Sequence, residues 1–476
     1  MKKMIKYLMR VGVLALAFSS CQTPDSLQRT VDKTVPDVYQ DSGDTTNTAN
    51  VIRTDFFTDP YLQALIDTAL QHNQELQITL MEIQIGSFEV NARKGEYLPS
   101  VGLGAGAGLD KTARYTPLGA NEATTDIRPG TEMPDPVPDY FVGAFASWEV
   151  DIWHKLRNAK KAAFSRYLSS VEGQNFMVTN LVAEIANTYY ELLALDSQLE
   201  IVRRNIAIQS NALSTVRLQK QSARATELAV RRFEAQVLKT KSMEFELKQR
   251  IIETENQINF LLGRFPQRVA RNPSPFLDLD LFDLQAGIPI QLLENRPDIR
   301  GAELRMEATH LDVKSAKAQF YPTLDITAAI GLNAFQPDLF LKTPESMLFS
   351  LAGNLAAPLI NRKAIEAAFQ SANARQVQAV YAYEQTLLTA YIEVANQLSN
   401  LENLDQSYDL LSDQVAALTE SIDISNDLFR SARADYMEVL LTQRDALEST
   451  FDLIETKKRQ LNARINMYRS LGGGWK

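Results

Sequence analysis

The 476-residue chain has a single cysteine, Cys21, and only three histidines, His72, His154 and His310, which are scattered along it. One cysteine cannot form a disulfide within the chain, and scattered histidines are a poor basis for a zinc site. No run of about eighteen apolar residues follows the amino terminus, as a membrane-spanning helix would require. These absences exclude a disulfide framework and argue against a metal site and a spanning helix.

Motifs of the common catalytic sites are also missing. The chain has no glycine-rich phosphate loop between a strand and a helix, no GxSxG turn and no HExxH metal motif. Its net charge is −9, which becomes −13 once residues 1–20, with four positive charges, are removed. An acidic chain is poorly suited to binding nucleic acid. We therefore predict that the protein is not an enzyme, binds no cofactor and has no nucleic-acid partner.

The amino terminus has the pattern of a targeting segment. Four basic residues precede an apolar stretch in residues 1–20, and two serines lead directly to Cys21. A lone cysteine at this place is typical of a lipoprotein signal, whose thiol receives lipid and becomes the first mature residue. The alternative is an ordinary signal peptide with a chance cysteine. We predict a signal peptide over 1–20, then a lipidated Cys21 and a flexible tether over 21–60.

Four segments alternate between apolar and small or polar residues, as strands do. They are 98–110, 140–152, 323–333 and, more weakly, 349–359. In the first, an apolar face lies opposite a nearly bare face of glycines, which suits a strand between lipid and a lumen as well as it suits the edge of a sandwich. Each segment has about the length that crosses a membrane at a tilt. Because known barrels begin at about eight strands, a membrane barrel would have to be shared between copies of the chain.

Long helical segments follow the strand pairs. A first helix is predicted from about 61 to 96, and a coiled-coil seam runs from about 153 to 221. The second of these would be on the order of 100 Å long, which is typical of a structure that spans a compartment. The motif SARATEL at 222–228 interrupts it, and a return seam ends at Gly263. A solvated fibrous coiled coil is the alternative for these helices, but it would not need the strands.

The order of a helix, a strand pair and a long helical hairpin occurs twice, and this repetition is the strongest signal in the chain. Residues 61–263 form the first predicted repeat, of a helix, a strand pair and a long helical hairpin. Residues 264–288 form an equatorial connector, and 289–476 form the second repeat, with SARADYM at 431–437 in the place of SARATEL. The predicted fold class is therefore mainly α, internally duplicated, with four strands per chain and a long coiled-coil tunnel.

Several motifs together give the chain a family resemblance. They are SWEVDIW at 147–153, RPDIR at 296–300, FYP at 320–322, the two SARA motifs, LGGGW at 471–475 and Cys21. With these motifs the chain resembles the lipoprotein branch of the TolC-like outer-membrane factors, over essentially all of the mature chain beyond the tether. The resemblance implies a homotrimer with a twelve-stranded β-barrel in the outer membrane and a helical tunnel in the periplasm. It also implies two partners, a periplasmic adaptor and an inner-membrane transporter of the proton-driven RND type.

The resemblance also suggests where functional residues lie. Family members narrow the periplasmic end with acidic and hydrophobic side chains, and the matching acidic residues here are Asp435, Glu438 and Glu227. In a trimer each would form a ring of three carboxylates that attracts cations and raises its members' pKa values. The alternative is that they are solvated charges at the start of the return helices. The glycine usual in each tip turn is replaced by Ala223 and Ala432.

Three aromatic residues, Trp148, Trp153 and Tyr140, are predicted either to lie at the membrane boundary or to pack where strand and helix join. The expected function is an outer-membrane exit duct that passively conducts drugs or other small molecules from a tripartite efflux pump to the exterior. The alternatives are a duct for type I protein secretion and a structural lipoprotein that spans the periplasm without conducting.

Overall fold

The computed structural model describes residues 29–39, 46–280, 284–431 and 433–475. The chain divides into two compact units. Gln84–Leu168 and Leu304–Tyr381 belong to one, and Val31–Ile83, Ser169–Glu303 and Ala382–Lys476 form the other.

The first half of the chain contains several short or medium helices, a strand pair with an inserted loop, and a long helical hairpin. The helices are α1 Arg53–Phe56, α2 Pro60–His72, α3 Gln74–Tyr97, α4 Pro117–Glu122, α5 Lys155–Gln221 and α6 Glu227–Leu261, and the strands are β1 Ser100–Asp110, β2 Asp126–Arg128, β3 Thr131–Glu132 and β4 Val137–Val150.

The second half repeats the order of the main elements, as predicted. It contains α7 Leu292–Asn295, α8 Pro297–Ala318, β5 Thr323–Ala334, β6 Met347–Ala356, α9 Lys363–Arg430 and α10 Tyr436–Ser470. The long helices α5 and α9 have 67 and 68 residues, and the return helices α6 and α10 have 35 each. Even backbone details recur, since His154 and Asn361, just before the long helices, have φ values of 59° and 56°. The internal duplication is thus a property of the fold.

The four long strands form one antiparallel sheet in the order β1-β4-β5-β6. Its register places Leu103 opposite Ala144, Ala144 opposite Ile330, and Ile330 opposite Phe349. Because directly opposed residues share a face, the alternating apolar residues of β1, β4 and β5 lie on one side of the sheet, and those of β6 lie on the same side. Leu103 and Phe349 are more than 80% exposed, and β1 and β6 are the two open edges.

The other face of the sheet corrects one expectation. The sequence pattern suggested that the glycines of β1 form a nearly bare face. Instead, the rings of Phe141 and Phe145 on β4 lie over Gly104 and Gly106. The two rings contact each other edge to face, with centroids 6.0 Å apart. The prediction missed them because ring placement depends on the pairing of β1 with β4, which a pattern within either strand does not contain.

The predicted first helix is interrupted at Asn73, which lies between α2 and α3. Its side chain is 4% exposed; Oδ1 accepts a hydrogen bond from the Leu76 amide, and Nδ2 donates one to the Leu261 carbonyl. Asn73 therefore ends one helix, caps the next and ties both to the end of α6. The apolar spacing continues across the break, which is why it predicted one helix.

The prediction of a flexible tether over 21–60 is wrong for much of its described part. Tyr39 is 2% exposed and stacks on Tyr391 of α9, with ring centroids 5.3 Å apart. Lys33 pairs with Glu303 at 2.6 Å. Phe57 is fully buried in the largest apolar cluster. The polar composition of the segment hid these widely spaced aromatic anchors.

The largest apolar cluster lies in the second compact unit, where α2 packs with the middle of α5 and the carboxyl-terminal parts of α6 and α10. Within the described residues, no helix combines the length and the apolarity that crossing a membrane requires.

Candidate functional site

Two sharp turns join the long helices to their return helices, and the candidate acidic residues lie in them. After α5, the Ala223 amide donates to the Lys220 carbonyl at 2.9 Å and the Arg224 amide to the Gln219 carbonyl at 2.8 Å. This pair of bonds is the Schellman motif, which satisfies the last carbonyls of a helix. Thr226 then caps α6, its hydroxyl accepting a hydrogen bond at 3.2 Å from a backbone amide in the first turn of that helix.

The second turn repeats the hydrogen bond of the first turn that spans five residues. The Arg433 amide donates to the Leu428 carbonyl at 2.8 Å, just as the Arg224 amide donates to the end of α5. The start of the return helix differs, however. Asp435 is the cap residue of α10, but its side chain makes no capping hydrogen bond, whereas that of Thr226 does. The carboxylate of Asp435 is therefore not engaged by the helix that it precedes.

The structure brings the two turns together. An apolar cluster around Phe233, which is 1% exposed, includes residues of α5 and α6, and Phe429, Tyr436 and Leu440 of the second hairpin pack against it. Arg232 Nη1 on α6 also lies 3.3 Å from a methionine Sδ on α10. The charged residues that begin α6 and α10 are therefore held at neighbouring helix ends by a shared apolar core.

Glu227, the first residue of α6, belongs to a chain of ion pairs. It pairs with Lys220 across the turn and with Arg231 at 2.8 Å, and Arg231 also pairs with Glu234 at 3.0 Å. The hydrogen bond from Lys220 lowers the pKa of the Glu227 carboxyl. Within one protomer, then, the environment of Glu227 acts against the raised pKa expected from a ring of carboxylates.

Asp435 and Glu438 differ from Glu227 in their surroundings. Both side chains are exposed, and neither makes an ion pair within the described part of the chain. Glu438 lies in the first turn of α10, one helical turn from Asp435, so the two carboxylates start the same helix. Of the three predicted acidic residues, these two are the ones that make no ion pair within the described residues.

Ala223 has a φ of 54°, in the left-handed region. The equivalent position of the Schellman motif is a glycine at the ends of α6 and α10, where Gly263 and Gly472 have φ values of 67° and 90°. A side chain in this region costs roughly 1–2 kcal/mol, so the first turn is strained where a glycine would not be. Ala432, the predicted counterpart in the second turn, lies outside the described residues.

The predicted boundary aromatics lie near the two ends of β4. Trp148 Nε1 donates to the Tyr97 carbonyl at 3.2 Å, and Trp153 Nε1 donates to the Pro322 carbonyl at 2.8 Å, both where strands meet helices. Trp153 also stacks on a tyrosine ring beside that proline. Tyr140 lies eight residues before Trp148 on the same face of β4, which corresponds to about 26 Å at 3.3 Å per residue.

One important residue, Arg296, was recognised only as part of a motif. It is 4% exposed and pairs with Asp298 and Glu393, each at 2.7 Å. It also donates to the Ser470 carbonyl at 2.9 Å. The RPDIR motif therefore holds the end of α10, just before LGGGW.

Cys21 and residues 1–20 lie outside the described residues. Across the described ranges, no group of three or more His, Cys, Asp or Glu side chains is arranged to hold a metal ion.

Comparison with known proteins identifies relatives over most of the chain. A family model described as outer membrane efflux protein matches residues 65–264 and 288–473. The pyoverdine export outer membrane protein OpmQ of Pseudomonas aeruginosa is 26% identical over 419 residues, covering 88% of this chain and 86% of that protein. The cation efflux system protein CusC of Escherichia coli is 26% identical over 426 residues, covering 88% of this chain and 87% of that protein.

Solved structures agree with the fold. The open state of the MtrE outer membrane channel of Neisseria gonorrhoeae superposes with a TM-score of 0.83 at 22% identity, covering 96% of this chain and 98% of MtrE. A structure of CusC gives a TM-score of 0.81 at 22% identity, covering 94% of this chain and 99% of that one.

Proposed function

Since the chain belongs to the outer membrane efflux protein family, we propose that three copies of it assemble into one continuous duct. The protein is the outer-membrane exit duct of an efflux pump, and a periplasmic adaptor and an inner-membrane transporter are its partners. Beyond this role, we propose that the duct contains three copies, that the transporter is of the RND type, that Cys21 carries a lipid anchor and that conduction is passive. The observation that carries it is the four-stranded sheet with two open edges and one apolar face.

A single copy of this sheet is unsuited to a membrane. The backbone groups along the outer edges of β1 and β6 lack strand partners within the described chain, and such edges are not tolerated in hydrocarbon. Pairing β1 of one copy with β6 of the next would satisfy both edges, and three copies would give twelve strands. The apolar face would then contact lipid. The separation of about 26 Å between Tyr140 and Trp148 is close to the ~25 Å apolar band of such barrels.

Conduction is proposed to be passive, with energy supplied by the transporter. The exposed carboxylates of Asp435 and Glu438 would give the narrow end of the duct a preference for cations. No particular cargo follows from the relatives. They are named for pyoverdine and for cations, and another at 26% identity is named for toluene. We therefore propose export of small molecules selected by the transporter.

Lipid on Cys21 is proposed as a second attachment to the outer membrane. The test is metabolic labelling with a palmitate analogue, where Cys21→Ser should lose the label. Label retained on the variant would place the lipid elsewhere.

The alternatives from the sequence are a secretion duct and a structural lipoprotein that does not conduct. The test is single-channel recording of the purified protein in a planar bilayer, combined with cysteine cross-linking between β1 and β6 of adjacent copies. Discrete conductance steps and a cross-linked trimer support the duct. A well-folded trimer that remains silent, even after the helix turns are loosened by substitution, would favour the structural role.

A further inference from the structure

The glycines of β1 differ in what lies above them. A methyl group added at Gly104 would be 2.9 Å from Phe145 Cε2, and one added at Gly106 would be closer still to Phe141 Cε1. Methyl groups added at Gly102 and Gly108, on the same face of the same strand, would meet nothing within 4 Å. Only the two middle glycines therefore lie beneath an aromatic ring.

The two rings lean across the strand pair. Phe141 is directly opposite Gly106, whereas Phe145 is opposite Gly102 but contacts the position of Gly104. Ring atoms thus occupy the space where side chains of β1 would otherwise stand. Because the rings also contact each other edge to face, moving one of them disturbs the other.

The face that carries these rings is opposite the apolar face of the sheet. Ser147 and Thr327, directly paired across β4 and β5, lie on the same side as Phe141 and Phe145. In the barrel proposed above, the apolar face contacts lipid, so the rings face the lumen. The inference that follows rests on that proposed function.

We infer that Gly104 and Gly106 let the Phe141 and Phe145 rings lean across β1, close to the wall, and thereby set the width of the lumen. Carbon atoms in ordinary contact are about 3.5–4.0 Å apart, so a methyl group at either glycine has to displace the ring above it. The sheet blocks movement towards the wall. The displaced rings therefore project into the lumen and narrow it.

The experiment measures the size of neutral polyethylene glycols that enter the channel from the barrel side, read as the drop in single-channel current in a planar bilayer. The test variant is Gly104→Ala with Gly106→Ala. Its matched control is Gly102→Ala with Gly108→Ala, which adds the same two methyl groups to the same face in open space. A third variant adds Phe141→Ala and Phe145→Ala to the test variant and removes the rings.

We expect the test variant to have a lower size cut-off than the wild type, the control to keep the wild-type cut-off, and removal of the rings to restore it. An unchanged cut-off in a conducting test variant overturns the inference, and so does an equal decrease in the control. A protein that forms no channels, even after its helix turns are loosened by substitution, would instead overturn the proposed function. Should the double variant fail to fold, Gly104→Ala alone is measured by the same criteria. Independently, Phe141→Ala with Phe145→Ala in the wild type should change the cut-off little, and a large increase would show that the rings already project.

Discussion

Arg296 donates a hydrogen bond to the backbone carbonyl oxygen of Ser470, 174 positions away in the sequence, at 2.9 Å. The same guanidinium pairs with Asp298 and Glu393, so the start of α8, the middle of α9 and the end of α10 meet at one buried cation. Nearby, Trp475 Nε1 donates to the Asn295 carbonyl at 3.3 Å. Two motifs far apart in the sequence are therefore parts of one junction.

Arg296→Ala should destabilise the protein strongly. It leaves the Asp298 carboxylate in a partly buried site without its cation, and breaking a buried pair costs on the order of 3–5 kcal/mol. Arg296→Lys should cost less but still be clearly measurable, since an ammonium cannot make the bidentate contact with Asp298 and also reach Glu393 and the Ser470 carbonyl. Denaturant unfolding in detergent measures both. Arg204→Ala, which removes an exposed pair with Glu200, is the control, and an equal effect of the two alanine variants would contradict the assignment.

The junction illustrates what the sequence could and could not predict. The faces of the strands followed from a period of two residues, and the hairpins followed from heptad spacing, because both patterns are local. The contact of Arg296 with Ser470, the rings over Gly104 and the anchoring of Tyr39 depend on pairing between distant segments. No pattern within one segment contains that information. At the turns, the sequence located the acidic residues but could not tell which of them is paired with cations and which are exposed.

Ala223→Gly should stabilise the first helix turn. Glycine removes a left-handed strain of roughly 1–2 kcal/mol, while its greater freedom in the unfolded chain costs about 0.5–1 kcal/mol. The expected net gain is therefore about 0.5–1 kcal/mol. This gain in stability should appear as slower hydrogen exchange of the backbone amides around the turn.

The opposite change at Gly263 is the matched control. This residue occupies the same place in the same motif, and its added methyl group would also collide with the backbone carbonyl of His72. Gly263→Ala should therefore accelerate exchange at the end of α6. Ala223→Gly that leaves exchange unchanged or faster would show that the turn is not strained.

Asp435→Asn with Glu438→Gln should reduce the preference for cations. The proposed trimer would lose two exposed negative charges per copy near its narrow end, and we expect the cation-to-anion permeability ratio to fall by roughly twofold or more. Reversal potentials in asymmetric salt measure this ratio. Asp452→Asn, which removes an exposed carboxylate further along α10, is the control. An unchanged ratio in the double variant would remove these residues from the conduction pathway.

Tyr39→Ala should release the segment that follows the proposed lipid anchor. The ring is 2% exposed and stacks on Tyr391, so its loss leaves a cavity that costs on the order of 3–5 kcal/mol locally. Limited proteolysis should then cut residues 29–39 much faster.

Tyr39→Phe is the matched control: the buried hydroxyl has no hydrogen-bond partner among the described residues, so its removal should leave the cleavage rate unchanged or lower. Equal cleavage of the wild type and the alanine variant would mean that the segment is a free tether, as its composition suggested. Protection that depends on the ring would mean that the chain is fixed to α9 by its own packing, independently of lipid on Cys21.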